Sequence, residues 1–294
     1  MGDGSKAMAS LVERSGTMGM IVVFWSPFPG QAGTTTSLLA AATCMGLEYS
    51  ARLLLLGLLR EEDEAVQRAF YPPEKNPSPL PDTGMDALLR LLQNRKLEAR
   101  MLRDYAQPLL RERLDVLPGS AKPNAGFAML AERWLEPLLD TAKRAYDLVL
   151  LDGGSVTAPG WREKLRNRAD LIVVCLPQNR LLLERFFQSP ESVQLNEQKA
   201  MLVFGQFDPG SSLTVNNLQR RFHWQQPAFP VVHNTGWLDA VQHGEAIPYW
   251  FRNRKTSRQH ENHRFVRHVR ELAHALIEGV GRNQPVFGGK EDKP

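Results

Sequence analysis

The chain is 294 residues long, with an apolar share of 43%, a charged share of 23% and a formal net charge of +4. That length suffices for one large α/β domain or two small ones, and the composition is that of a protein with a globular core rather than of a disordered or fibrous one. No apolar run reaches the roughly 18 residues of a spanning helix, so no transmembrane segment is expected, and the small charge excess permits an anionic partner without demanding one.

Residues 1–17 read as an N-terminal extension, disordered or added for expression. Met1–Ala9 is small and polar and lacks the apolar core of a signal peptide, and Met18 or Met20 is a natural start for the fold. The first element is Ile21-Val22-Val23-Phe24-Trp25, a β-branched and aromatic run that stops at Ser26-Pro27 and predicts a buried strand. Gly30 and Gly33 open a loop, and Thr34-Thr35-Thr36-Ser37 lead into the helix-forming Leu38–Ala42. Strand, glycine loop and helix start together aim backbone N–H groups at a phosphate. The usual phosphate-binding pattern, Gly-x-x-x-x-Gly-Lys-Ser/Thr, is incomplete: Phe28 stands at its first glycine and Thr34 at its lysine.

A helix from about Thr35 to Glu48, interrupted near Gly46, then gives way to a second buried strand at Leu53-Leu54-Leu55-Leu56. Glu61–Glu64 is acidic, and 71–83 carries Pro72, Pro73, Pro77, Pro79 and Pro81, which excludes regular helix and suggests an insertion. Helical spacing resumes at Met85–Leu92 and again from Leu97 toward Tyr105, and Leu114–Ser120 reads as a strand ending in a turn. Trp134–Arg144 is an amphipathic helix that feeds the apolar run Tyr146–Asp152. An aspartate at the carboxyl edge of such a strand is where a magnesium-holding carboxylate belongs; capping the next turn is the alternative role for Asp152. Further strands are expected at Ala169–Pro177, Lys199–Asp208 and Phe229–His233, and 279–294 is a polar tail. Continuous apolar strands separated by helix-length segments predict a mainly parallel, doubly wound α/β sheet within one domain over 18–278. The two cysteines, Cys44 and Cys175, lie in apolar contexts and read as buried thiols in a reducing cytoplasm.

In this order the motifs resemble those of the MinD/ParA family of deviant Walker-A P-loop ATPases. The family's loop reads x-Lys-Gly-Gly-x-Gly-Lys-Thr-Thr; Gly30, Gly33, Thr35 and Thr36 match, while Pro29, Gln31 and Thr34 replace the signature lysine, a glycine and the phosphate lysine. The family's second strand ends in Asp-x-Asp-Pro, where this chain has Gly57 and Leu59. Tyr146–Asp152 is similar to its Walker-B strand and Ala169–Pro177 to the strand that follows. Its adenine-reading asparagine falls near Gly205-Gln206, so that Gln206 substitutes only with a one-residue shift. Phe229–His233 and Ala246-Ile247-Pro248-Tyr249 are similar to the last strand and to the segment before the final helix.

The resemblance implies a P-loop NTPase-like fold and a nucleotide site at Gly30, Gln31, Ala32, Gly33, Thr34, Thr35, Thr36 and Gln206. It implies ATP or ADP held weakly with magnesium, the metal at Thr35 and Asp152, and little hydrolysis, since both lysines and both second-strand carboxylates are replaced. Arg60 or Lys122 could supply a cation in their place. As implied partners it gives a second copy of the chain in a homodimer and a protein of a larger bacterial machine, of the pilus, secretion, cellulose-synthesis or conjugation type. A working partition ATPase that dimerises on ATP and binds DNA nonspecifically is the alternative. The iron–sulfur branch of the superfamily is excluded, because Cys44 and Cys175 sit inside a helix and a strand.

Arg252 to Arg270 holds Arg252, Arg254, Lys255, Arg258, Arg264, Arg267 and Arg270 against the single acid Glu261. Phe265, Val269, Leu272 and Leu276 recur at helical spacing and predict a basic helix with its apolar side on the sheet. Its arginines form either a solvated outer face or a contact for DNA phosphates or an acidic partner. His260, His263, His268 and His274 lack the ligands of a metal site and read as surface residues. The tail is not an amphipathic membrane helix, which argues against direct membrane insertion.

Overall fold

The computed structural model describes residues 18–57, 65–72, 84–120, 125–155, 159–197 and 200–279. The expectations for residues 1–17, the acidic run, most of the proline-rich stretch, Leu59, Arg60, Lys122 and the tail beyond 279 lie outside those residues.

Eight strands form one sheet: β1 (Met20–Trp25), β2 (Leu53–Gly57), β3 (Gln107–Leu110), β4 (Leu114–Leu117), β5 (Leu148–Asp152), β6 (Leu171–Leu176), β7 (Ala200–Phe207) and β8 (Ala228–Val232). Their order is β3-β4-β2-β5-β1-β6-β7-β8, and every neighbouring pair is parallel except β3 with β4. The central strands are apolar at every position because both faces are covered. Ile21, Val23 and Trp25 of β1 enter one core, and Val22 and Phe24 enter the other. Each fully buried leucine or valine contributes about 1.5–3 kcal/mol relative to exposure, so a strand such as Leu53–Leu56 has no polar side to spare.

Against the face of Val22 and Phe24 pack α1 (Thr34–Glu48), α2 (Ala65–Arg68) and three helices from the carboxy-terminal part of the chain, given below. The other face carries α3 (Gly84–Gln93), α4 (Ala99–Tyr105), α5 (Ala125–Ala145), α6 (Pro159–Arg168), α7 (Arg180–Phe187), α8 (Pro190–Glu197) and α9 (Val215–Phe222). This is the expected mainly parallel sheet wound on both sides.

Several local expectations are corrected. Helix α1 runs through Gly46 without interruption, and a Cβ there would lie 3.0 Å from Leu110 and 3.1 Å from Leu114, so glycine serves close packing against the β3–β4 hairpin. β3 was not expected, because an edge strand with Pro108 lacks the continuous apolar signal. After β8 the chain forms α10 (Thr235–Gln242), capped by Asn234 Oδ1, which accepts from the Trp237 amide at 2.7 Å and from the Tyr249 hydroxyl at 2.8 Å. Ala246–Tyr249 is helical and begins α11 (Ala246–Asn253), Pro248 falling in the first turn, where a missing N–H costs little.

The single basic helix predicted from Arg252 to Arg270 is divided. Residues 254–262 are turns, and α12 (His263–Gly279) follows. Its predicted apolar side does face the core: Phe265, Val269, Leu272 and Leu276 are buried and Phe265 packs in an aromatic group with Trp237, Tyr249 and Trp250. Arg270 turns inward to Glu48 of α1, with guanidinium–carboxylate distances of 2.7 and 2.8 Å, and the Trp250 indole N–H donates to the same carboxylate at 3.1 Å. His268 is buried rather than on the surface.

Candidate functional site

The site grows from the end of β1. Ser26 is buried, and its Oγ accepts from the Phe28 amide at 3.1 Å, which turns the chain sharply out of the strand. Phe28 sinks into the core of the second face and anchors the loop from below. Pro29, Gly30 and Gln31 are exposed at its crest, with Gly30 in the left-handed region at φ 69°. Gly33 is also left-handed, at φ 58°, and is the N-cap of α1 without any side-chain cap. Glycine is needed there twice over: for the dihedral, and because a Cβ would lie 3.1 Å from Thr36 Oγ1 and 3.2 Å from Gln206 Cγ.

The Ser37 amide makes the first bond of α1, to the Gly33 carbonyl at 2.9 Å, so the amides of Thr34, Thr35 and Thr36 precede the ladder. With no acid in the first turn, the positive end of the helix dipole, equivalent to about half a charge, is left for an anion. The three threonines point three ways. Thr36 Oγ1 donates back to the Gly33 carbonyl at 3.0 Å. Thr35 Oγ1 donates to Asp152 Oδ2 at 2.6 Å. Thr34, which stands where the phosphate lysine would be, hydrogen-bonds to the thiol of Cys175 on β6, and burial pushes that thiol well above its ordinary range.

Asp152 ends β5 beside β1, with Phe24 paired to it in register, and is 3% exposed. Its second oxygen accepts from the Gly154 amide at 2.9 Å, so it caps the following turn, the alternative role weighed from the sequence, and meets the loop at once. Burial raises its pKa above the carboxylate range, against the lowering effect of the Thr35 and Gly154 bonds.

β7 closes the other side. A Cβ on Gly205 would lie 2.0 Å from the Ala32 carbonyl oxygen, so only glycine lets this strand pass under the loop. Gln206 turns out of the strand at φ 55°, with its side chain against Gly33 and its Oε1 2.6 Å from His233 Nδ1. The Trp237 indole N–H donates to the Thr36 carbonyl at 3.1 Å and ties α10 to the first turn of α1. His233, Trp237 and the capping Asn234 line a narrow cleft beside Gln206. Sequence reasoning did not single them out; Asn-Thr-Gly-Trp-Leu is nevertheless a helix-start signal that could have found them.

The structure thus brings Gly33, Thr34, Thr35, Thr36, Asp152 and Gln206 to one place. Between Ser26 and Ser37 the chain has no lysine or arginine. The arginines of the carboxy-terminal region form a separate group. Arg252 pairs with Glu245 at 3.3 Å and Arg267 with Glu271 at 3.9 Å; the Arg254 guanidinium lies 4.3 Å from the centre of the Phe251 ring. Lys255, Arg258 and Arg264 are exposed. Among the described residues no group of three or more His, Cys, Asp or Glu could hold a metal, and no helix is long and apolar enough to cross a membrane.

The strand order, the loop after β1 and the aspartate at the end of β5 define a P-loop NTPase fold of the MinD/ParA type. Neither the family models nor the curated proteins contain a match to the chain. Among solved structures it is similar to a ParA family ATPase from Chlorobium tepidum, with a TM-score of 0.65 and 13% identity over 87% of this chain and 98% of that one. It is likewise similar to the septum site-determining protein MinD of Pyrococcus horikoshii complexed with Mg-ADP (TM-score 0.65, 14% identity, 90% and 98% of the two chains). The MinC:MinD cell division protein complex of Aquifex aeolicus supplies a third (TM-score 0.59, 14% identity, 91% and 98%). At these identities the likeness is one of fold.

Proposed function

We propose that this chain is a MinD/ParA-like positioning or scaffold protein that holds a magnesium nucleotide weakly and hydrolyses it slowly or not at all. The observation that carries the reading is the Thr35–Asp152 bond, beside a loop without any lysine or arginine. The parts that orient are present. The parts that neutralise charge are not.

The donor set fits a nucleotide phosphate with magnesium. The free amides of Thr34 to Thr36 would meet the phosphates, and Thr35 and Asp152 would hold the metal, which when bound offsets phosphate charge. Gln206, held by His233 at 2.6 Å, would be the residue to contact the base. Losing one charge-assisted contact weakens binding by about 1.5–3 kcal/mol, roughly 10- to 100-fold. Losing a cation that meets the transition state lowers rates by about 10³–10⁵ in comparable nucleotide hydrolases. Thr34, tied to Cys175, offers no such cation. Pro29 cannot reach across a dimer as a lysine does.

By analogy with the MinC:MinD complex, the expected partners are a second copy of this chain and a protein of a larger bacterial assembly in the cytoplasm, of the pilus, secretion, cellulose-synthesis or conjugation type. The test is equilibrium binding of labelled ATP with magnesium beside phosphate release, on the native chain and on Pro29→Lys/Thr34→Lys. Weak binding, negligible turnover and a gain in affinity in the variant are expected. Turnover typical of a partition ATPase in the native chain would instead support the second reading, an ATP-driven protein that binds DNA nonspecifically; the exposed Lys255, Arg258 and Arg264 favour that reading.

A further inference from the structure

At the amino-terminal end of the strands, away from the phosphate loop, the β3–β4 turn, the start of β2 and helix α4 line an open surface cavity of about 250 Å³. Asp152 ends β5 at its carboxyl end, whereas Leu53 at the start of β2 lines the cavity, so the two sites lie at opposite ends of the parallel strands. Nothing in the proposed function uses it.

Its walls are dominated by arginine. The turn is closed by the Arg113 amide bonding the Leu110 carbonyl at 2.9 Å, with Glu112 held in the left-handed region at φ 59°. That conformation disfavours any residue with a Cβ, and here it presents Arg111, Glu112 and Arg113 in sequence at the rim. Glu112 neutralises one cation, Arg52, at 2.8 Å. The other three guanidiniums form no ion pair at salt-bridge distance among the described residues, and Asp115 lies within electrostatic reach of Arg103 and Arg52. Arg103 donates twice to the Ala145 carbonyl, at 3.2 and 2.6 Å, and lies 5.8 Å from the centre of the Tyr146 ring. Arg113 donates to the Tyr49 carbonyl at 2.5 Å. Arg111 is exposed and makes no hydrogen bond or ion pair with any described residue. Carbonyl partners fix a guanidinium in place while leaving its charge uncompensated. Asp115 is the second acid, and it accepts from the buried Tyr146 hydroxyl at 2.8 Å.

We infer that this cavity binds a small organic phosphate with a hydroxyl-bearing body, of sugar-phosphate size. Arg111 and Arg113 take the phosphoryl group through paired N–H donors, which match its geometry, and Asp115 accepts from a ligand hydroxyl. A depression of this size is too small to seat a nucleic-acid duplex, and the excess of guanidiniums over carboxylates disfavours a cation or a neutral sugar.

The test is calorimetric titration of the full chain with glycerol 3-phosphate, ribose 5-phosphate and glucose 6-phosphate, with glucose and succinate as controls. Saturable binding of at least one of the phosphates is expected, weakened about tenfold or more by Arg111→Glu and unchanged by Asp152→Asn. Arg111 is exposed and makes no hydrogen bond or ion pair with any described residue, so its variants should keep the native melting temperature, and that measurement separates a loss of binding from a loss of fold. The inference is overturned if none of the phosphates binds at ~10 mM. Binding that survives Arg111→Glu, that disappears in Asp152→Asn, or that succinate or glucose reproduces equally also overturns it.

Discussion

Thr35 Oγ1 donates to Asp152 Oδ2 at 2.6 Å, joining the first turn of α1 to the end of β5 across 117 residues of sequence. Burial of the carboxylate costs the apo protein stability, since no cation faces it among its named partners, and the Thr35 and Gly154 bonds offset part of that cost. Its folded pKa is raised above the unfolded value of about 3.9, so the protonated form is the one the fold prefers. Stability from this group is therefore full below about pH 3.9 and is lost as pH rises through the folded pKa.

Asp152→Asn should accordingly stabilise the nucleotide-free chain at pH 7, and the gain should vanish below about pH 4. The same variant should lose whatever stabilisation magnesium nucleotide gives the native chain. Urea denaturation at pH 3.5 and 7, with and without magnesium ATP, reads both effects. A variant less stable than the native chain at pH 7 would contradict this account of the buried acid.

Arg270 and Glu48 hold α12 to α1 through a two-pronged contact that also takes in the Trp250 indole and the Arg254 carbonyl. Glu48 is mostly buried, whereas the Arg270 side chain is 42% exposed, so solvent screening reduces the value of the pair. Arg270→Ala should cost about 1–2 kcal/mol in urea denaturation. Arg270→Lys should recover only part of that loss, since an ammonium cannot span both carboxylate oxygens and the Arg254 carbonyl.

His268 is buried on α12, and its Nδ1 has no hydrogen-bond partner among the described residues. Burial, with Arg267 and Arg264 adding like charge, lowers its pKa to about 4. The unfolded chain binds a proton near pH 6.5, so the contribution of His268 is full above that pH and falls as the medium is acidified toward 4. His268→Leu should flatten the stability profile across pH 4–6.5 by roughly 1–3 kcal/mol, with little change at pH 8. An acid limb as steep as that of the native chain would place the proton uptake elsewhere.

The fold was legible where chemistry leaves one choice. A strand buried on both faces must be apolar throughout, so Leu53–Leu56, Leu148–Leu151 and Leu171–Leu176 were visible as runs without periodicity. Gly30 and Gly33 marked the loop because its dihedrals exclude other residues. What could not be read depended on partners distant in sequence. Pro108 disguised β3, and Pro248 disguised the first turn of α11. Whether Arg270 was surface or core turned on Glu48, 222 residues away. The bond between Thr34 and Cys175 was equally invisible, since neither residue advertises the other. His233 escaped notice because it meets Gln206 only through a bulge in the β7–β8 pairing.

The division of the basic segment changes what a polyanion would meet. Arg270 is committed to Glu48, and Arg252 and Arg267 each have a carboxylate nearby, whereas Lys255, Arg258 and Arg264 are exposed around the turn and the start of α12. If this surface binds DNA, each phosphate contact releases about 0.9 of a counterion. Arg258→Glu and Arg264→Glu should then each lower the slope of log K against log salt by roughly 1, and should weaken binding alike on unrelated duplexes. Arg270→Glu should act instead on stability. Fluorescence anisotropy on two random-sequence duplexes between 50 and 200 mM salt, roughly the range where such contacts are strongly screened, separates these outcomes. Equal affinity of the native chain and the two surface variants at every salt concentration would make the arginines a solvated face, and the proposed positioning role would then have to rest on protein partners alone.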